Sequence, residues 1–382
     1  MAGRAIRVSC DLDDSIPFQM NEHLTDAVTG TACRTYDAHP IRHNDLSLEI
    51  VLGNYYNTIR PDLSKLGEKG LEMNLLVLNN LAEDYKKALG KKFPELVVHP
   101  AKDEDEIGDF IERMDILLTV RISDELLKKA SKLQWIHTIT TGVDYLIHQP
   151  SLRKDILISC SRGIHVPQVS ELALLFMLAL NRNLPQFIRN QDARIWERWP
   201  TKLLYQKKVG ILGIGAIGEE IARKCKVFGM TVFGIDVVRR KVDAVDYFYG
   251  PEDLLTVVRE VDYFIIVVPN IPQTRKMIGA EVLSSMKPSA FLINIGRGEV
   301  VDEEVLIRHL KSGRIAGAAL DAFWAEPLPE DHPFWGMKNV ILTPHVGGMS
   351  EFCVDQVLGI FEENLRRFLK GERKNLINFI ER

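Results

Sequence analysis

From Met73 onward, short apolar runs alternate with stretches of helical period. Apolar runs at Leu75–Leu78, Leu96–His99, Asp115–Val120 and Leu133–Thr138 predict strands. The segments Ala82–Leu89, Glu104–Arg113 and Asp124–Ala130 between them predict helices. Strands spaced by helices pair in parallel, with the helices covering the sheet faces. Glu171–Asn181 predicts a buried helix, and polar, aromatic sequence follows as far as Pro200. A second series begins at Lys208, with strands predicted at Val209–Leu212, Thr231–Ile235, Tyr263–Val268, Ala290–Ile295, Ile315–Ala319 and Val340–Thr343. Such a series describes a doubly wound sheet. Val354–Leu369 predicts one amphipathic helix, stopped at Gly371. The expected fold class is therefore α/β, with two Rossmann-like parallel-sheet domains.

Residues 1–72 break this rhythm. They hold Asp-, Asn- and Thr-rich turns and few clear periods, and are expected to form an N-terminal extension outside the catalytic unit. His23, Cys33, His39 and His43 cluster there, but their spacing matches no zinc pattern, so no metal is expected.

Composition narrows the class. The chain has 382 residues, enough for two or three domains. With 46% hydrophobic and 26% charged residues it has the balance of a soluble globular protein. A formal net charge of −4 argues against a nucleic-acid partner held by bulk positive charge. The cysteines at 10, 33, 160, 225 and 353 are an odd, scattered set, which suits a reducing, cytoplasmic setting. The longest apolar run, around Leu172–Leu180, is about half the roughly 20 residues of a membrane span. No membrane partner is expected.

The clearest local chemistry is Gly213-Ile214-Gly215-Ala216-Ile217-Gly218, which follows a predicted strand and opens a predicted helix, Ile217–Phe228. The first glycine permits the tight turn, the second lets the backbone approach a pyrophosphate, and the third lets helix and strand pack closely. The free N–H groups at the helix start bind the anion. Asp236 closes the next strand, 18 residues after Gly218, near the spacing of a ribose-binding carboxylate. A carboxylate there favours NAD and repels the 2′-phosphate of NADP. Arg239 and Arg240 either blunt that preference, so that NADP is possible, or are solvated loop charges.

Three further stretches each follow an apolar strand, so all three converge on the sheet's carboxyl edge, where open α/β sheets bind ligands. They are Phe291–Asp302, which contains Ile295, Gly296 and Arg297; Ala319–Pro329, with Asp321 and Glu326; and Leu342–Gly348, with His345. Singly, Arg297 reads as a surface charge, Glu326 before Pro327 as a turn, and His345 as a loop histidine. Their order beside a nucleotide turn gives them a joint meaning.

As a set, the glycine turn, N-I-G-R-G, D-A-F-W-A-E-P and T-P-H-V-G-G resemble the D-isomer-specific 2-hydroxyacid dehydrogenases, which include glyoxylate and hydroxypyruvate reductases. The resemblance covers Met73–Arg382. It implies a substrate-binding domain from 73–171 and 352–382, around an NAD-binding domain at 172–351. It implies that Arg297 binds the substrate's carboxylate and keto oxygen through fixed paired donors. His345 would be the acid/base, and Glu326 its carboxylate partner, which favours the imidazolium. Thr140-Thr141-Gly142-Val143-Asp144 matches the family's substrate loop, so Thr141, Gly142 and Val143 would hold the carboxylate through backbone N–H groups. Cofactor contacts are implied at Pro269, Asn270, Thr274, Ile295, Gly296, Arg297, His345, Gly347 and Gly348, and at Asp321 on the nicotinamide carboxamide side. Asn270 departs from the small apolar or hydroxyl residue more usual there.

The expected function is NADH-dependent reduction of a small 2-keto acid, glyoxylate- or hydroxypyruvate-like, to a D-2-hydroxy acid. Rivals are a phosphite-type dehydrogenase on the same fold and a non-catalytic NADH-sensing scaffold. Trp196 and Trp199 read as anchors of a homodimer through the coenzyme domain, or as core. Trp324 reads as a pocket wall or as packing, and His137, His148 and His165 as structural histidines.

Overall fold

The computed structural model describes residues 73–382. The extension at 1–72, with its His and Cys cluster, lies outside the described residues.

The described chain forms two parallel sheets. The first contains β1 (Met73–Leu78), β2 (Leu96–Ala101), β3 (Ile116–Thr119), β4 (Trp135–Thr138) and β5 (Leu157–Cys160) in the order β2-β1-β3-β4-β5. Its helices are α1 (Ala82–Lys92), α2 (Asp124–Lys129) and the single turn α3 (Asp144–Ile147). The chain then enters α4 (Val166–Arg182) and α5 (Leu184–Asp192).

The second sheet contains β6 (Lys208–Leu212), β7 (Thr231–Ile235), β8 (Tyr247–Tyr249), β9 (Tyr263–Ile266), β10 (Phe291–Asn294), β11 (Gly317–Leu320) and β12 (Val340–Leu342). Their order is β12-β11-β10-β9-β6-β7-β8. The helices among them are α6 (Ala216–Val227), α7 (Leu254–Glu260), α8 (Ala280–Ser285) and α9 (Glu303–Lys311), and α10 (Cys353–Leu369) closes the chain's helical part. The strand order reverses between β6 and β9, so the carboxyl end of β6 opens onto the crevice where such sheets bind ligands.

Most strands are buried along their length, as parallel sheets covered on both faces require. Two differ from the sequence expectation. β8 is an edge strand of three aromatic residues, too short to show a period. β5 is a four-residue Leu-Ile-Ser-Cys run, half of it polar or sulfur-bearing, and equally short of a period. The segment expected as a helix at Glu104–Arg113 is two 3-10 turns, Glu104–Glu106 and Gly108–Glu112. Gly108, which opens the second turn, sits at φ 54° and breaks the right-handed path there. The helix expected from Glu171 starts at Val166, because Pro167 sits in the first turn, where its missing N–H costs nothing.

Two long helices tie the chain together. Phe361, Leu365 and Phe368 of α10 join the core of the first sheet, and Trp135 stacks on Phe361 and Phe368 at 5.2 Å each. Each such aromatic contributes roughly 1.5–3 kcal/mol of burial. Val169, Ala173, Phe176 and Met177 of α4 instead join the core of the second sheet. The chain therefore passes between the sheets twice, at 161–165 and at 343–352. Among the described residues, no helix is long and apolar enough to cross a membrane.

Candidate active site

β6 ends at Leu212 and turns at once into Gly213, whose φ of 101° only glycine adopts without strain. A Cβ at Gly218 would lie 2.0 Å from the Gly213 carbonyl oxygen, so α6 reaches this depth only with glycine there. A Cβ at Gly215 would meet nothing within 4 Å. The turn thus closes tightly on the protein side at Gly218 and lies open beside Gly215, at the N-terminus of α6. That shape fits a dinucleotide pyrophosphate.

Asp236 directly follows β7 and faces this turn. Its Oδ2 accepts the Ile214 N–H at 2.7 Å and its Oδ1 the Val238 N–H at 3.2 Å. A carboxylate has about four acceptor positions, so capacity remains for ribose hydroxyls. Arg240 donates through Nη2 to the Ile214 carbonyl at 3.0 Å and to Glu219 Oε2 at 2.7 Å. It is therefore held beside the glycine turn, with its charge paired to Glu219. Arg239 pairs away from the turn, with Glu252 and Asp253.

The loop after β9 is self-braced. Thr274 Oγ1 donates to the Pro269 carbonyl at 2.6 Å and accepts the Ile271 N–H at 2.9 Å. Asn270 is half-buried between them in sequence, and Pro269 is exposed.

Arg297 stands just past the carboxyl end of β10. Asn294, which the sequence reading missed, shapes its turn: Nδ2 donates to the Arg297 carbonyl at 2.9 Å, and Oδ1 accepts the Gly296 N–H at 3.1 Å. Arg297 Nη1 donates back to the Gly296 carbonyl at 2.9 Å. Ile295 and Gly296 are buried behind it.

His345 Nδ1 lies 2.9 and 2.8 Å from the two carboxylate oxygens of Glu326. A carboxylate only accepts, so Nδ1 carries the hydrogen and Nε2 is left to face a reactant. Burial pushes the Glu326 carboxyl up. The hydrogen bonds from His345 and the Phe323 N–H, with the charges of His345 and Arg121, outweigh it and hold it below the usual value. His345 itself sits at φ 54°, in the left-handed region. Asp321 holds it there: its oxygens accept Thr343 Oγ1 at 2.5 Å and the Val346 and Gly347 N–H groups at 2.9 Å each. Asp321 thus uses three acceptor positions on the His345 loop and keeps about one for a carboxamide. A Cβ at Gly347 would lie 2.8 Å from Asp321 Oδ2, which is why the loop needs glycine at that point.

The first sheet contributes differently. Beyond β4, Thr138 Oγ1 donates to the Thr140 carbonyl and Thr140 Oγ1 to the Gly142 carbonyl, which braces the loop. Among the described residues, no acceptor takes the N–H groups of Thr141, Gly142 or Val143, and Thr141 Oγ1 is buried without a partner. Arg121, just beyond β3, was not singled out from the sequence. Its guanidinium lies 5.9 Å over the Tyr145 ring, and its charge reaches Glu326. Its signal was only its place after a predicted strand, which every strand end shares.

His165 lies where the two crossings meet, and a Cβ at Gly348 would lie 3.3 Å from its Nδ1. Burial lowers its pKa, backbone contacts at Gly348 and Ile139 oppose this, and the Arg297 charge adds to it. Gln168 Nε2 donates to the Gly348 carbonyl at 3.2 Å. His137 is fully buried between Ser159 Oγ at 2.7 Å and Ser161 Oγ at 3.0 Å. Trp324 donates to the Val301 carbonyl at 2.8 Å, with Arg275 and Lys276 over its ring.

The chain is similar in sequence and fold to known proteins. Residues 174–347 match the NAD-binding domain of the D-isomer specific 2-hydroxyacid dehydrogenases. A glyoxylate reductase of Korarchaeum cryptofilum is 33% identical over 269 residues, 69% of this chain and 81% of that protein. A D-3-phosphoglycerate dehydrogenase of Methanocaldococcus jannaschii is 32% identical over 80% of this chain, which spans only 59% of that protein's length. The crystal structure of a D-isomer specific 2-hydroxyacid dehydrogenase family protein from Aeromonas salmonicida superposes with a TM-score of 0.76 at 33% identity, covering 81% of this chain and 99% of that one. The chain belongs to the D-isomer specific 2-hydroxyacid dehydrogenase family.

Proposed function

We propose that this chain reduces a small 2-keto acid of glyoxylate or hydroxypyruvate size to the D-2-hydroxy acid, reversibly, with NADH. The observation that carries this reading is the His345–Glu326 pair, held at the same sheet edge as the glycine turn. A bound NADH supplies the hydride that goes to the carbonyl carbon. Arg297 orients the carboxylate and polarises the keto oxygen, since its planar donors are fixed and always charged. The N–H groups of Thr141, Gly142 and Val143 take the carboxylate from the other side. His345 gives the proton on Nε2 to the developing alkoxide, and Glu326 stabilises the imidazolium before that transfer. In the oxidative direction the same nitrogen removes the proton. Closure of the cleft around the two crossings excludes water.

Arg121 favours a substrate with a polar or anionic group beyond the keto carbon, hydroxypyruvate above glyoxylate. Asp236 supports NADH, while Arg240 beside it leaves NADPH as a second coenzyme. A second copy of the chain is the partner, through the coenzyme domain. Trp196 is 93% exposed there, with Leu184, Ile188 and Ile195 nearby in sequence and also exposed. Trp199 stacks on Phe187 at 4.2 Å and belongs to the segment's own packing.

The test is NADH oxidation across glyoxylate, hydroxypyruvate, pyruvate and longer 2-keto acids, with an NADPH control. Turnover concentrated on the short acids supports the reading. Tight NADH binding without turnover on any of them would replace it with a sensing scaffold.

A further inference from the structure

A cavity of about 470 Å³ lies at the opposite edge of the second sheet. Phe291 opens β10, while Ala316 and Asn339 directly precede β11 and β12, and all three line it. Arg297 stands six residues further along the strand direction, roughly 20 Å away at strand rise. The cavity is therefore separate from the catalytic edge, and its volume lies in the roughly 300–1,000 Å³ range of small-molecule sites.

Its charge is one-sided. Arg189, Lys202 and Lys338 line it, and no carboxylate does among the described residues. Arg189 is fixed, since Nε and Nη2 both donate to Gln186 Oε1, at 3.2 and 2.9 Å. Asn181 supplies an independent mark. It is 5% exposed, lines the cavity, and accepts the Tyr263 hydroxyl on Oδ1 at 2.7 Å. Its Nδ2 is buried with no partner among the described residues. A buried donor without an acceptor is costly, and a ligand oxygen in the cavity would satisfy it.

We propose that this cavity is a second ligand site, for a small molecule carrying carboxylate or phosphate groups. Asn181 Nδ2 donates to one oxygen at its floor, and Arg189 and Lys338 neutralise the charge at its mouth. The site does not depend on which keto acid is reduced. It is also compatible with the proposed dimer. On α5, Pro185, Gln186 and Arg189 face the cavity, and Leu184 and Ile188 fall on the opposite side of the helix.

The test titrates the full chain, saturated with NADH so that the pyrophosphate cradle is filled, with inorganic phosphate and separately with citrate, by calorimetry. Saturable binding of either at one site per chain is expected, and the stronger probe identifies the preferred group. The Lys338→Glu and Asn181→Asp variants should weaken it by about tenfold or more. Asn181→Asp keeps the acceptor for Tyr263 but removes the donor, and the surface variant Lys338→Glu guards against misfolding. Both should leave the keto-acid KM unchanged, and Arg297→Gln should leave anion binding intact. Absence of saturable binding up to the order of 10 mM overturns the proposal. So does binding that disappears in Arg297→Gln and survives in Lys338→Glu, since the anion would then occupy the catalytic edge.

Discussion

The two parallel sheets share a construction and divide the chemistry unequally. In the seven-stranded sheet, loops at successive strand ends carry side chains with proton and charge chemistry: Arg297 after β10, Asp321 and Glu326 after β11, His345 after β12. In the five-stranded sheet, the loop after β4 offers backbone N–H groups without acceptors among the described residues, and the exposed cation Arg121 stands after β3. Side-chain chemistry demands particular residue types, whereas a row of N–H groups demands only a backbone path. The division explains why one edge leaves motifs in the sequence and the other leaves almost none.

The largest test of this contrast is His345→Ala. It should lower kcat by about 10³-fold while sparing most NADH binding, measured by steady-state kinetics and fluorescence titration. Retained turnover would move the proton chemistry to the other sheet. Next is Glu326→Gln, with an expected loss on the order of 10²-fold. The depressed Glu326 carboxyl is ionised above the usual carboxylate range, and its support of the pair is lost only as pH falls through its lowered value. In the variant the acid limb set by Glu326 should therefore be lost from the reductive pH profile. A retained limb would show that Glu326 only positions the ring.

The five-stranded sheet has its own titrating group, with a structural role. Burial pushes His137 down to about 3 from its ordinary 6.5. Since the folded value is the lower one, its stabilising contribution is complete above pH 6.5 and declines as pH falls towards 3. Between pH 7 and pH 5 the loss is on the order of 2 kcal/mol. His137→Gln should flatten that dependence, read as the urea midpoint at the two pH values. An equal slope in both proteins would place the acid sensitivity elsewhere. The smallest expected effect is Arg121→Gln, which should raise KM for hydroxypyruvate about tenfold and change KM for glyoxylate little. Equal effects on both would deny Arg121 a role in telling them apart.

How far the site could be read in advance follows the same division. The glycine turn was legible because a tight turn and a close helix each need glycine at a fixed spacing, and Asp236 was placed at the strand end where it is found facing that turn. Asn294 and Arg121 were not, because an amide that shapes a turn and a cation beyond a strand resemble ordinary surface residues until their neighbours are known. Asp321 was read as a cofactor contact, while its position shows the hydrogen bonds by which it holds the His345 loop. Pro167 hid the first turn of α4, and Gly108 broke a helix that composition alone favoured.

By itself, the sequence determined the parallel α/β class, the order of most strands along the chain and the place of the dinucleotide turn. Apolar runs buried on both faces and obligatory glycines are local requirements, written in adjacent residues. Only the tertiary structure decided that Phe361, Leu365 and Phe368 are the α10 side chains that enter the core of the first sheet and that Nδ1 of His345 meets both oxygens of Glu326. It alone set Asn181 beneath a cavity lined by cations. Each joins residues far apart in the chain, and contacts of that kind exist only once the sheets and their crossings have brought the strand ends together.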